Sequence, residues 1–322
     1  MYRIAADVFN DCAMILDCLS PALPKPARVF LLSIASILRA LCGVAAGSSK
    51  ASLSAHFARW GNLGELNAKD SSQETIISLM GMLVGSLVVS HLTSPLATWT
   101  ALIILLTIHL AMNHAAVRAV SMHTLNRQRA NIVFSTLIAN KTILTPKEVS
   151  LQEWVFERDG VLRWMRSPVL AHCIVGASLE TVLKSIAKSH ETTSSLRDPS
   201  IELTHLLKIF QDEEYLLWYD IAGSKINIVL KEGAKTVSQL QSWAHALLIA
   251  HLHDQSPLVL EKRPSISEAE AMLQLLSTTL KQITSTFEYS MPQLLAAGWD
   301  LETAALEVRP GKRIALASEI RA

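Results

Sequence analysis

The chain has 322 residues, half of them hydrophobic and 18% charged, with a formal net charge of +1. This composition excludes an intrinsically disordered chain. The near-neutral total hides a division, because residues 1–147 hold 12 Lys/Arg against 6 Asp/Glu and residues 148–322 hold 17 against 22. The basic half contains no Lys/Arg block, so an anionic lipid surface or an acidic docking face suits it better than nucleic acid, and no nucleic-acid partner is expected.

Residues 6–20 predict an amphipathic helix, with Val8, Cys12, Ile15, Leu16 and Leu19 apolar at helical spacing and Asp7, Asn10, Asp11 and Asp17 opposite. Ser20-Pro21 and Pro24-Lys-Pro26 end it. Val29–Gly47 is long and apolar enough to cross a bilayer, with Arg39 in its middle. An intramembrane arginine faces a protein interior or a carboxylate, and Asp7, Asp11 and Asp17 are the candidates.

A dense polar cassette follows at residues 56–75, holding His56, Arg59, Asn62, Glu65, Lys69, Asp70, Gln73 and Glu74. Polar groups beside apolar helices are costly unless paired. Small-residue steps flank the cassette, Gly43-Val-Ala-Ala-Gly47 before it and Gly81-Met-Leu-Val-Gly85 after it, and such steps let helices pack closely in lipid. Ser71 and Glu74 have capping-box spacing and predict a helix start there.

Between Glu74 and Arg118 lie 43 residues without Asp, Glu, Lys or Arg. His91 and Pro95 split this run into two arms, Thr75–Ser90 and Leu96–Val117, which predict a hydrophobic hairpin. The second arm is expected to continue as a long helix presenting His109, Asn113, Ala116, Val120, Thr124, Arg127 and Asn131 on one stripe, facing the cassette.

Lys141–Ser150, containing Pro146, marks a boundary between a helical, membrane-type domain over 1–145 and a small α+β domain over 146–322. In the second part, Val169–Val175 predicts a strand and Ser178–His190 a helix. Glu191–Pro199 reads as a polar linker. Tyr215–Tyr219 and Ile226–Lys231 predict a hairpin, so the expected sheet is short and antiparallel. Val237, Leu240, Ala244 and Leu247 mark a helix. Ile266, Ala269, Leu273, Leu276, Leu280, Ile283 and Phe287 form a heptad-like seam, started by Pro264 and the Ser265/Glu268 pair, that suits either packing on the sheet or a partner helix. The fold class is therefore mostly α.

No chemistry stands out. Cys12, Cys18, Cys42 and Cys173 form no CxxC pair and read as reduced, packed thiols. The histidines lack metal-ligand spacing, and there is no nucleotide loop or nucleophile elbow, so no metal, cofactor or catalytic residue is expected. The cassette's acid–base groups are read as ion pairs and caps rather than catalysts.

Asp7-Val-x-Asn10-Asp11, Arg39-Ala-x-x-Gly43-Val-Ala-Ala-Gly47, His56-Phe-Ala-Arg59-x-Gly61-Asn62 and Ala68-Lys69-Asp70-x-Ser-Gln73-Glu74-Thr75 resemble the Root UVB Sensitive (RUS) family. So do Thr124-Leu-Asn126-Arg127-Gln128-Arg129, Glu232-Gly-Ala, His245-Ala-Leu-Leu and Gly298-Trp-Asp-Leu. The resemblance implies a multi-pass membrane protein without established enzymatic activity, linked in plants to vitamin B6 homeostasis and ultraviolet-B responses. It also implies a complex between family members. A further family region would be expected before Asn10-Asp11, where this chain starts almost at the motif. The expected role is a regulatory or scaffold subunit, a homo- or hetero-oligomer with a family paralogue in a lipid bilayer. The alternative is a carrier of a small anionic metabolite such as a pyridoxal species, held by Arg39, Arg59, Lys69 and Arg127.

If all three apolar stretches cross, the cassette and everything after Arg118 share one side. Arg118, Arg127, Arg129, Lys141 and Lys147 assign that side to the cytoplasm or its organellar equivalent. A tag at Ala322 should therefore be degraded by protease added to the cytoplasmic face of sealed membranes, and protection of the tag would reverse the topology.

Overall fold

The computed structural model describes residues 2–58, 61–154, 157–186, 188–189, 196–197, 203–221, 223–256, 266–310 and 312–315. Two compact units result, Met1–Val120 and Ser121–Ala322.

The first unit is helical: α1 (Tyr2–Leu19), a 3-10 turn at Ser20–Ala22, α2 (Lys25–Phe57), α3 (Leu63–Ser90) and α4 (Pro95–Ala119). Helix α1 lays Ile4, Ala6 and Ala13 against its neighbours and packs along α2 and against α4. Pro26 in the first turn of α2 presets a helical φ where an N–H would have no partner. At α4, Ser94 Oγ accepts from Ala97 N at 3.2 Å, followed by Pro95 at the first helical position. Helices α2, α3 and α4 are each long and apolar enough to cross a membrane. No residue of α3 or α4 is buried within the chain, and α2 buries only Ala35, Ala45 and Ser54.

The expected hairpin is present, but two local expectations are corrected. Helix α3 begins at Leu63, so most of the cassette is helical and Ser71 is not a cap. Its carbonyl accepts from Thr75 Oγ1 at 2.8 Å inside the helix. The helix formers Leu63, Glu65, Leu66, Ala68 and Lys69 carry the turn structure through the polar run. The long stripe is also interrupted. Helix α4 ends at Ala119 with Val120 extended, and the next helix, α5 (Arg127–Asn140), opens at Asn126, whose side chain accepts from Arg129 N at 2.9 Å. A strong cap outweighs a continuous periodicity.

The second unit continues with α6 (Pro146–Ser150), β1 (Val161–Leu162), β2 (Ala171–Val175), α7 (Leu179–Ile186), β3 (Lys188–Ser189), β4 (Leu196–Arg197), α8 (Leu203–Ile209), β5 (Tyr215–Asp220), β6 (Lys225–Leu230), α9 (Thr236–Gln255) and α10 (Ile266–Ala296). The hairpin β5–β6 pairs antiparallel from Tyr215↔Leu230 to Asp220↔Lys225. The sheet order is β1-β2-β6-β5, with β3 and β4 as a separate pair. Because β2 runs parallel to β6, the sheet is mixed rather than purely antiparallel. Parallel pairing needs a long crossover, supplied here by the chain between Val175 and Lys225.

Five successive positions of β5, Tyr215–Tyr219, and five of β6, Ile226–Leu230, are buried, so both faces of the sheet are covered. Helix α9 packs against α5, α10 and the sheet. Met272, Leu276, Leu280, Ile283 and Phe287 of α10 are buried, so the heptad-like seam packs internally. Pro264 and Ser265 lie outside the described residues, as does most of the linker at 191–199. All four cysteines are free. Cys173 is buried in β2, whereas Cys12 and Cys18 are exposed on α1 rather than packed.

A polar chain runs through this core. Tyr215 Oη lies 3.1 Å from His245 Nδ1, His245 Nε2 lies 2.8 Å from Thr279 Oγ1, and Thr279 donates to Leu275 O at 2.6 Å. Since the Thr279 proton is committed, His245 donates through Nε2 and accepts from Tyr215 at Nδ1, a neutral tautomer assigned from its partners. Burial lowers the His245 pKa from 6.5 to about 3. Its contribution to stability is therefore complete above pH 6.5 and is lost as pH falls towards 3, at up to about 1.4 kcal/mol per pH unit. In denaturant titrations, His245→Asn should be less stable than wild type at neutral pH, and the gap should narrow below about pH 5. A gap constant with pH would contradict the buried neutral histidine.

Candidate functional site

In the first unit, the ionisable groups form separate pairings. Arg39 on α2 pairs with Asp17 on α1, one of its three candidate carboxylates. Lys50 on α2 reaches Asp70 Oδ2 at 2.8 Å and Glu74 Oε2 at 2.7 Å, two carboxylates one turn apart on α3. Lys69 pairs with Glu65 at 2.6 Å within α3. Gln73 is exposed, His56 closes α2 beside Phe57, and Asn62 precedes α3. Arg59 lies outside the described residues.

A part-buried pairing joins α1 and α4. His109 Nδ1 lies 3.0 Å from Asp11 Oδ1, and Asn113 Nδ2 lies 2.8 Å from His109 Nε2. Asn113 donates to Nε2, so Nδ1 carries the proton given to Asp11. Asp11 is only 7% exposed. Asp7, one turn earlier, has a buried Oδ2 without a hydrogen-bond partner. Burial raises the Asp7 pKa from its ordinary value against the pull of Arg3, with Asp11 adding a smaller upward push. His109 and Asn113 thus face α1, not the cassette. Both ring nitrogens of His109 are engaged, which suits holding two helices in register.

The packing glycines are open. A Cβ added at Gly43, Gly47, Gly81 or Gly85 would meet nothing within 4 Å. Whatever these steps contact is not another described helix of the same chain.

Arg127 belongs to the second unit, in a clamp around the start of α5. Its Nε donates to Leu306 O and its Nη2 to Glu307 O, each at 2.7 Å, and Nη1 meets Asp159. Arg129 forks onto both Glu153 oxygens at 2.7 and 3.2 Å and donates to Thr124 O at 3.0 Å. Asn131, buried, donates to Val161 O at 2.8 Å and accepts from Trp243 Nε1 at 2.9 Å. The Gly298–Leu301 motif docks here too. Asp300 N donates to His123 O at 2.9 Å, His123 Nδ1 lies 2.8 Å from Gly298 O, and Trp299 Nε1 donates to Leu144 O at 2.8 Å. Gly298 has φ +95°, a left-handed conformation that suits glycine. The two quoted motifs meet as one interlock.

These geometries stand beside clear similarities. Residues 1–141 match the family described as "Vitamin B6 photo-protection and homoeostasis domain", and residues 143–309 match "Root UVB sensitive protein, C-terminal". The chain belongs to the root UVB sensitive (RUS) family. It is 30% identical over 262 residues to "Protein root UVB sensitive 3" of Arabidopsis thaliana, covering 80% of this chain and 56% of that protein. It is 38% identical over 156 residues to "RUS family member 1" of Dictyostelium discoideum, covering 47% and 30%. "Protein root UVB sensitive 5" of Arabidopsis thaliana aligns over 95% of this chain and 56% of its own length at 23% identity. The chain therefore spans little more than half the length of these RUS relatives, or less. No solved structure matches it.

Among the described residues, no group of three His, Cys, Asp or Glu side chains is placed to hold a metal ion. Sequence reasoning missed Lys50 as the partner of Asp70 and Glu74. The signal available was its position 24 residues from Glu74 across a helix turn, which spacing within one helix does not reveal. It also missed the Arg129–Glu153 pair, whose members belong to different local elements.

The Arg39–Asp17 pair generates a test. Asp17→Ala and Arg39→Ala should each lower the melting temperature of the detergent-purified protein, and the double variant should lose less than the sum of the two. Additive losses would show that the two groups do not interact.

Proposed function

We propose that this RUS protein is a non-catalytic, multi-pass membrane protein acting as a regulatory or scaffold subunit, assembled with another copy or a family paralogue and serving vitamin B6 homeostasis. The carrying observation is the outward face of α2–α4. The helices α3 and α4 bury no residue in the chain, and all four glycines of the two small-residue steps are open on it. In lipid, such steps are where helices from separate chains approach closely. The non-catalytic reading draws on the ion pairs of the cassette, in which Glu65 holds Lys69 and Lys50 of α2 holds Asp70 and Glu74, and on the Arg39–Asp17 and His109–Asp11 pairs outside it. Arg127 and Arg129 are likewise committed to the clamp.

A second reading, carriage of a small anionic metabolite such as a pyridoxal species, is favoured by the vitamin B6 description of the family matched over residues 1–141. On this reading an anion would displace Glu65 from Lys69 or Asp17 from Arg39. Stabilisation by phosphorylated vitamers, lost in Lys69→Ala, would be its mark.

The primary reading is tested by native mass spectrometry of the protein in mild detergent. An oligomer is expected, and Gly81→Leu with Gly85→Leu should shift it towards monomer by placing bulk at the contact. A wild-type monomer that captures no RUS paralogue from membranes would overturn the scaffold role.

A further inference from the structure

The second unit carries a shallow, open groove, bounded by Gln128 on α5, Gln152 and Trp154 after α6, Glu157, and Arg163 and Arg166 after β1. Its groups are of two kinds. Arg163 is committed: it forks onto Glu157 at 2.9 and 3.2 Å, donates to Ser167 O at 2.7 Å, and lies 4.5 Å over the Trp154 ring. This arrangement neutralises Glu157 and fixes the indole by one face. Trp154 nonetheless remains 43% exposed.

Arg166 and Gln128 are not committed. Arg166 is exposed and forms no hydrogen bond or ion pair among the described residues, and the Gln128 amide is likewise unengaged there. The Gln152 amide makes one long contact, 3.5 Å to Glu148 O. The backbone leading to Arg166 is fixed. Met165 before it has φ +50°, rarely adopted by a residue with a side chain, and its N–H donates to the buried Ser135 Oγ at 3.1 Å. Asn131, which also lines the groove, is buried and held through both ends of its amide by Val161 and Trp243. The result is one uncompensated guanidinium and two amides beside a fixed, half-open indole.

We infer that this groove binds a small planar organic oxyanion, an aromatic carboxylate or an aryl phosphate, whose ring lies against Trp154 while its anionic group is received by Arg166 and Gln128. The forked guanidinium suits the oxyanion geometry of either group. This site stands apart from the anion reading of Arg39 and Lys69, and its outcome does not depend on the scaffold role.

The test is calorimetric titration of the full chain in detergent with phenyl phosphate, benzoate and inorganic phosphate. At least one aryl probe should bind saturably with a Kd of about 1 mM or tighter, and inorganic phosphate should bind more weakly. Arg166→Ala should weaken binding about tenfold or more, as should Trp154→Ala, while Lys281→Ala on α10 and Lys69→Ala should leave it unchanged. Because Arg166 is exposed and holds no hydrogen bond or ion pair among the described residues, its loss should leave the fold intact, which melting of the variant would verify. The inference is overturned if neither aryl probe saturates, if Arg166→Ala binds as wild type, or if inorganic phosphate binds as tightly as phenyl phosphate.

Discussion

The constraint on which the first unit depends is uncovered apolar surface. Thr75–Val117 contains no Asp, Glu, Lys or Arg, and the two helices built from it bury nothing in the chain. Ile76, Ile77, Met80, Met82, Leu83, Val84 and Leu87 stand exposed on α3 alone. Each such side chain forgoes about 1.5–3 kcal/mol relative to burial. A helical hairpin cannot carry that deficit in water, so the surface requires cover from outside the chain. The same condition governs the polar groups, because Arg39 and Lys50 on α2 each hold a carboxylate from a neighbouring helix.

The second unit obeys a different logic. Its core is closed by the chain itself, and its charged groups serve as fasteners. Among Thr124–Arg129, Gln128 borders the groove, whereas Asn126, Arg127 and Arg129 serve the fold. They cap α5 and tie it to segments more than 20 and as many as 180 residues away. Trp299 and Asp300 complete the interlock from the other end of the chain. Arg127, Arg129 and the Gly298–Leu301 motif are therefore accounted for by assembly of the fold, whereas Gln128 joins Trp154 and Arg166 at the groove.

Legibility in the sequence followed the range of the interactions. The hairpin arms, the β5–β6 pair and the α10 seam were readable because each is set by composition or periodicity within a few turns. Arg39 could be given a short set of partners because apolar surroundings leave a cation few choices. The Ser71/Glu74 spacing predicts a helix start that lies eight residues too late, since capping spacing also occurs inside helices, and only Lys50, from another helix, reveals that Asp70 and Glu74 share a face. The break after Ala119 carries neither Gly nor Pro, so the 3.6-residue period ran on past the true end. The parallel β2–β6 pairing and the partners of Arg127 join residues far apart in the chain, beyond the reach of any local pattern.

The contact between His123 and Gly298 spans 175 residues. At about 5–20 residues per second of synthesis, roughly ten to thirty-five seconds separate the emergence of its two halves. Throughout that interval α5 exists without the segment that fastens its leading end, although its apolar residues are already made. The nascent chain must therefore be shielded until its last tenth arrives. A chain cut short before Gly298 would keep the Asn126 cap and the Glu153 and Asp159 partners of α5 but lose the Gly298, Leu306 and Glu307 carbonyls that close the clamp.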